Sequence, residues 1–210
     1  LDEIRSYLGI ENHTFTKPAK KKFTKPEKPK CQVPQNKVKW YLIEDRNIQG
    51  HILSDYKIGE EGDNIIFPFM RDGELVMAKR RQAVDGAKPK PTQADCEKIL
   101  FGWQAIDPNA REVVLTEGEI DALSMASYGY NALSVPFGGG GGNKQDWIEN
   151  EYDNLQRFET IYLCMDNDQA GKEAVAEIAK RLGRHRCKVV TLPHKDPNEC
   201  LVNGVAKDLI

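Results

Sequence analysis

Carboxylates recur in this sequence directly after short apolar runs, and that spacing is where chemistry is best sought. Val113-Val114-Leu115 leads into Thr116-Glu117-Gly118-Glu119-Ile120-Asp121. Ile161-Tyr162-Leu163-Cys164-Met165 leads into Asp166-Asn167-Asp168, and Val189-Val190-Thr191-Leu192 is followed by Lys195-Asp196-Pro197-Asn198-Glu199. Each group alone is weak, because acids commonly start helices: Asp168 could be an N-cap and Asp121 a polar residue of a first turn. Capping does not call for acids at three separate strand ends, however. Carboxylates crowded there repel one another unless cations sit between them. Oxygen donors without a histidine or cysteine partner suit Mg²⁺ or Mn²⁺ rather than zinc. A pair of such ions serves phosphoryl chemistry, steadying the attacking and the leaving oxygen.

These acids need a frame, and the hydrophobic spacing describes one. Strands are expected at 113–115, 132–135, 160–165 and 188–192, with helices at 120–128, 144–155 and 170–182. In the last helix Ala170, Ala174, Val175, Ile178, Ala179 and Leu182 fall on one face. Strands alternating with helices imply an α/β fold, a mostly parallel sheet with helices on both faces. In such sheets ligands sit beyond the carboxyl ends of the strands. Upstream, 36–107 reads as a small, basic α+β subdomain. It has helical spacing at 48–56, a strand at 64–70, a turn at 71–74, a returning strand at 75–81 and a loop around Lys88 and Lys90. Residues 1–35 read as the tail of a helix over 2–8 followed by a Lys/Pro-rich, solvated linker. The division is therefore 1–35, 36–107 and 108–210.

With this pattern in view, Thr116-Glu117-Gly118-Glu119-Ile120-Asp121 followed by Asp166-Asn167-Asp168-Gln169-Ala170-Gly171 resembles the TOPRIM signature. That domain is shared by bacterial-type primases, type IA and type II topoisomerases, some nucleases and a recombination mediator. Asp-x-Asp-x-Ala-Gly and Lys195-Asp196-Pro197-Asn198-Glu199 are most similar to primases. The Glu-Gly-Glu-Ile-Asp wording is similar to phage primase-helicases and their mitochondrial Twinkle relatives, and the resemblance runs from about Asn36 to the C-terminus.

The resemblance implies a DNA-directed RNA polymerase of primase type, making short RNA primers on a single-stranded DNA template from NTPs with two Mg²⁺ or Mn²⁺ ions. It implies Glu117 as metal ligand or general acid/base, Asp166 and Asp168 as the metal-binding pair, Asp196 as a further ligand and Asp121 as an acid primases also carry. Glu119 has a less settled role. The strand with Lys79-Arg80-Arg81 and the loop with Lys88 and Lys90 are similar to the basic arm that holds template or nucleotide phosphates in related enzymes. Cationic residues there would offset the charge of polyanions approaching an acidic pocket; the plainer alternative is a solvated basic strand and turn. The resemblance further implies an upstream zinc-binding domain, a replicative helicase in the same polypeptide or separate, and the cytoplasm of a bacterial or phage-infected cell. A TOPRIM nuclease or topoisomerase fragment, and a non-catalytic DNA-binding TOPRIM scaffold, are the competing readings.

Composition sets outer bounds. The net charge of −2 hides seven lysines against the single acid Glu27 between Lys17 and Lys30, so near-neutrality does not argue against a nucleic-acid partner. The five cysteines are scattered and form no C-x-x-C pair, which disfavours a disulfide framework and a local zinc site. No apolar run approaches a membrane span and no secretory signal opens the sequence. The start at Leu1 reads as a piece of a longer protein. Gly138 to Gly142 lack the G-x-x-x-x-G-K-S/T spacing and read as a flexible connection, and no Walker A motif indicates a helicase motor. Trp40 and Trp103 read as packing residues. Trp147, on the exposed helix expected after the glycines, is a candidate to stack a base.

Overall fold

The computed structural model describes residues 22–210, so the expected helix at 2–8 and the start of the lysine-rich segment lie outside the described residues. The chain enters through helix α1 (Lys37–Trp40), a π-helical turn at Tyr41–Asp45 and helix α2 (Gly50–Asp55). Strands β1 (Gly59–Glu61), β2 (Asn64–Arg71), β3 (Glu74–Gln82) and β4 (Lys90–Pro91) then form an antiparallel sheet in that order. The expected hairpin is β2–β3, pairing Arg71 with Glu74 across Asp72-Gly73, a dipeptide suited to a type I′ turn. α1, the π turn and β1 were not expected.

The second half alternates as the spacing demanded. It runs β5 (Glu112–Thr116), α3 (Glu119–Ser127), β6 (Ala132–Ser134), α4 (Ile148–Leu155), β7 (Thr160–Cys164), α5 (Gln169–Leu182), β8 (Cys187–Val189) and α6 (Pro197–Val202). All strand pairings are parallel, in the order β6-β5-β7-β8. The helix expected over 144–155 opens instead as a 3₁₀ turn at Gly142–Gln145 and becomes α-helical only at Ile148. α6 was not foreseen, although Asp196-Pro197 followed by Glu199 carries an N-cap, a proline at the first helical position and a capping-box acid.

Strand residues alternate between two cores. Val113, Leu115, Leu133, Ile161 and Leu163 face Ile148 and Leu155 of α4 and Ala174, Ile178 and Leu182 of α5. Val114, Ala132 and Cys164 face the other way, against Ala122, Leu123 and Met125 of α3. That second core continues into the upstream half through Val38, Leu42, Ile65, Phe67, Phe69 and Phe101. The two halves therefore share packed side chains, which holds the basic strands at a fixed place relative to the acids. Among the described residues no helix is long and apolar enough to cross a membrane.

Candidate active site

β5 and β7 are neighbours, while β6 and β8 lie on their outer sides. The strand order thus reverses between β5 and β7, and open α/β sheets bind ligands at the carboxyl ends of such a switch point. Glu117 directly follows β5 and Asp166 lies just beyond β7. Asp121 sits in the first turn of α3, and Asp196 is the N-cap of α6.

Their charges interact. Burial pushes the Asp166 carboxyl up to about 6, reinforced by the negative charges of Glu117 and Asp196 and relieved by Lys195. Burial also drives Asp121 well above the carboxylate range, with Asp196 and Asp166 adding to it. Four of the expected acids thus share one electrostatic site. Asp168 is exposed and adds the smallest of these effects on Asp166.

Capping and chemistry coexist. Asp168 Oδ1 accepts from Gly171 N at 2.9 Å, and Asp196 Oδ1 accepts from Glu199 N at 2.8 Å, each closing the first turn of a helix. Gly171 is dictated by space, because a Cβ there would lie 2.0 Å from the carbonyl oxygen of Asp166. Lys195, not singled out from the sequence, places Nζ 3.5 Å from Asp166 Oδ2 and 4.0 Å from Asp196 Oδ2, a cation already lodged between two of the acids.

The donor set fits a hard divalent cation: it is all oxygen, mutually repelling, and includes Glu117 Oε2, which is buried and makes no hydrogen bond. Among the described residues no group of three or more His, Cys, Asp or Glu side chains already stands ready to hold a metal ion.

On β3 and the segment after it, Arg80, Lys88 and Lys90 are exposed and, with Arg81, line a trough of about 690 Å³. Arg80 pairs with Glu61. Arg81 and Ala87 also wall a groove of about 210 Å³ whose other side is Glu119, Asp121 and Asp196. Arg81 and Ala87 thus line both hollows. The same groove brings in Arg46, which sequence reading missed. Its guanidinium donates to Tyr41 Oη at 2.8 Å and to Asn198 Oδ1 at 3.1 Å, and the Asn198 N–H reaches Asp121 Oδ1 at 3.3 Å. Nothing local marks Arg46 as a site residue, since Asn198, its link toward Asp121, lies 152 residues away.

Four expectations need correction. Lys79 is not on the trough: it is 4% exposed, and its Nζ lies 2.6 Å from Glu119 Oε1. That pairing also leaves Glu119 buried and engaged. Base stacking by Trp147 is ruled out by complete burial, its Nε1 donating to Gln145 Oε1 at 2.6 Å. Trp40 is 58% exposed rather than packed, whereas Trp103 stacks on Phe158 as a packing residue. The glycine run is not a loose connection, because Gly140 N donates to Ala170 O at 2.8 Å and Gln145 Nε2 to Gly140 O at 2.8 Å.

Comparison with known proteins places relatives around this fold. Residues 114–201 match the Toprim-like family. The chloroplastic/mitochondrial Twinkle homolog of Arabidopsis thaliana is 30% identical over 184 residues, covering 81% of this chain and 25% of that protein. The DNA helicase/primase of Enterobacteria phage T3 is 37% identical over 103 residues, 48% of this chain and 18% of that protein. The chain thus spans a quarter or less of these two relatives. Among solved structures, the primase fragment of the bacteriophage T7 primase-helicase superposes with a TM-score of 0.67 at 27% identity, covering 86% of this chain and 78% of that one. Residues 114–201 carry the match to a Toprim-like domain, in a chain that resembles phage primase-helicases and Twinkle proteins in sequence and fold.

Proposed function

We propose that this chain is the catalytic core of a DNA primase, joining ribonucleotides on a single-stranded DNA template. The observation that carries the reading is the set of carboxylates at the β5/β7 switch point, in a groove that shares Arg81 and Ala87 with a neighbouring basic trough. A polyanionic template and an NTP need cationic walls to reach an acidic centre. We assign residues 36–107 as the basic subdomain and 108–210 as the Toprim domain, with the reaction in the groove between them.

The 3′-hydroxyl of one nucleotide attacks the α-phosphorus of the next, a P–O bond forms, the bond to the β-phosphate breaks, and pyrophosphate leaves. Glu117, one of whose oxygens makes no hydrogen bond, would take the hydroxyl proton or hold metal. Asp166, Asp168 and Asp196, with Asp121 beside them, would hold Mg²⁺ or Mn²⁺. When bound, such ions supply positive charge to the attacking and leaving oxygens. Arg80, Lys88, Lys90, Arg81 and Arg46 would bind and orient phosphates. Lys195 would hold its ammonium beside the acids until substrate and metal take its place. An upstream zinc-binding domain and a replicative helicase, fused or separate, are the partners this reading implies.

The test is Asp168→Ala. It removes an N-cap worth about 1 kcal/mol and leaves the fold intact, while primer synthesis falls by at least a hundredfold. A folded Asp168→Ala protein that still makes primers near the wild-type rate overturns the assignment.

A further inference from the structure

The glycine run touches the candidate acid Glu117 more closely than any side chain could. A Cβ built on Gly139 would lie 2.5 Å from Glu117 Oε2 and 2.8 Å from its Oε1 and Cδ, inside the 3.0 Å that real Cβ contacts respect. The whole carboxylate rests on a bare Cα. Because Glu117 Oε2 makes no hydrogen bond, steric contact rather than bonding fixes where that oxygen lies.

The loop cannot simply yield. Gly140 N donates to Ala170 O at 2.8 Å, tying the loop to the first turn of α5 beside Asp168. Lys144 Nζ donates to Gly139 O at 2.9 Å. Gln145, fully buried, donates to Gly140 O at 2.8 Å and accepts from the core residue Trp147 at 2.6 Å. Gly138 and Gly140 flank the contact with φ of 73° and 102°, a path that side-chain-bearing residues rarely follow.

We propose that Gly138–Gly140 form a seat for Glu117, and that Gly139 is a positioning residue whose missing side chain aims the Glu117 carboxylate at Asp166. Trp147, through Gln145, locks the seat to the core. The consequence for catalysis rests on the primase reading; the contact itself does not.

Gly141 supplies a control in the same run, because a Cβ there meets nothing within 4 Å and its φ is −91°. Gly139→Ala and Gly141→Ala are made in the full chain, in wild-type and Glu117→Ala backgrounds. Three quantities are measured: thermal melting, Mn²⁺ binding from the electron paramagnetic resonance signal of the free ion, and the kcat and KM of primer synthesis. Gly139→Ala is expected to lower the melting temperature, weaken Mn²⁺ binding and lower kcat by about tenfold to a hundredfold, with the KM for NTP little changed. Gly141→Ala is expected to match wild type. In the Glu117→Ala background Gly139→Ala should add nothing to either the melting or the Mn²⁺ loss.

If Gly139→Ala alone does not fold, the double variant with Glu117→Ala must fold, because the clash is gone. Equal behaviour of Gly139→Ala and Gly141→Ala, additive losses in the Glu117→Ala background, or a double variant that stays unfolded would each overturn the seat. Coupling in melting without primer synthesis by the wild type would keep the seat and remove the primase reading instead.

Discussion

Lys79→Met is the most informative perturbation outside the acids, because the sequence and the structure place this lysine in opposite roles. Its ammonium is 2.6 Å from Glu119 Oε1, with side chains 5% and 4% exposed, and it lies 5.3 Å from the ring centroids of both Phe69 and Phe137. Methionine fills similar space but strands the Glu119 carboxylate without a counter-charge. Breaking one partner of a buried pair costs about 3–5 kcal/mol, and loss of the two cation–π contacts adds about 1 kcal/mol. Against a total stability of about 5–15 kcal/mol, this is a large fraction. At about 2–4 °C per kcal/mol for a chain of this size, the melting temperature should fall by roughly 10–20 °C. Lys79→Met/Glu119→Gln removes both charges and should recover most of the loss, since replacing a buried pair as a unit is often close to neutral. Urea and thermal melts of the three proteins measure this. A Lys79→Met protein that melts within about 2 °C of wild type but no longer binds NTP would refute the buried-pair account and return Lys79 to the phosphates.

Two further outcomes follow from the site. The Asp166 carboxyl titrates at about 6 when folded, against an ordinary 3.8, so its contribution to stability is fully present below 3.8 and is lost as pH rises through 6. The metal-free protein at pH 8 therefore carries a penalty on the order of 3 kcal/mol at this residue. Asp166→Asn should raise the metal-free melting temperature at pH 8 but not at pH 3.5, and Mg²⁺ should stabilise the wild type far more than the variant; equal Mg²⁺ shifts would count against a metal at Asp166. Lys88→Ala/Lys90→Ala removes two exposed charges from the trough. It should leave melting unchanged, weaken single-stranded DNA binding, and flatten the plot of log K against log salt by about 0.7 per lost phosphate contact. An unchanged slope would show that the lysines do not meet the template.

The acids were legible because strand ends are. Continuous apolar runs such as Val113-Val114-Leu115 announce strands buried on both faces, and the residue after such a run is placed by the sheet itself. Asp168 was legible twice over, as a helix cap and as a candidate ligand, whereas Asp196 was legible only as a ligand because α6 was not foreseen; the structure uses both as caps. Lys79 was misplaced because Lys79-Arg80-Arg81 reads as one basic run, whereas strand alternation turns Lys79 and Arg80 to opposite faces, one buried and one exposed. Trp40 and Trp147 carry no local mark of burial; one is left on a short surface helix and the other is enclosed between α4, α5 and the sheet. Arg46 reaches the acids only through Asn198, a contact across the whole chain that no spacing rule can supply. The packing of Glu117 on Gly139 was hidden for the same reason, since only the folded chain brings the two loops together.

The central claim is most directly tested by incubating the chain with a mixed single-stranded DNA template, labelled NTPs and Mg²⁺ or Mn²⁺, beside an Asp166→Ala/Asp168→Ala control. Short RNA products that require metal and vanish in the control are the expected result. A nicked or shortened template with no RNA would contradict the claim in favour of a nuclease, and template binding with neither product would leave a DNA-binding Toprim scaffold.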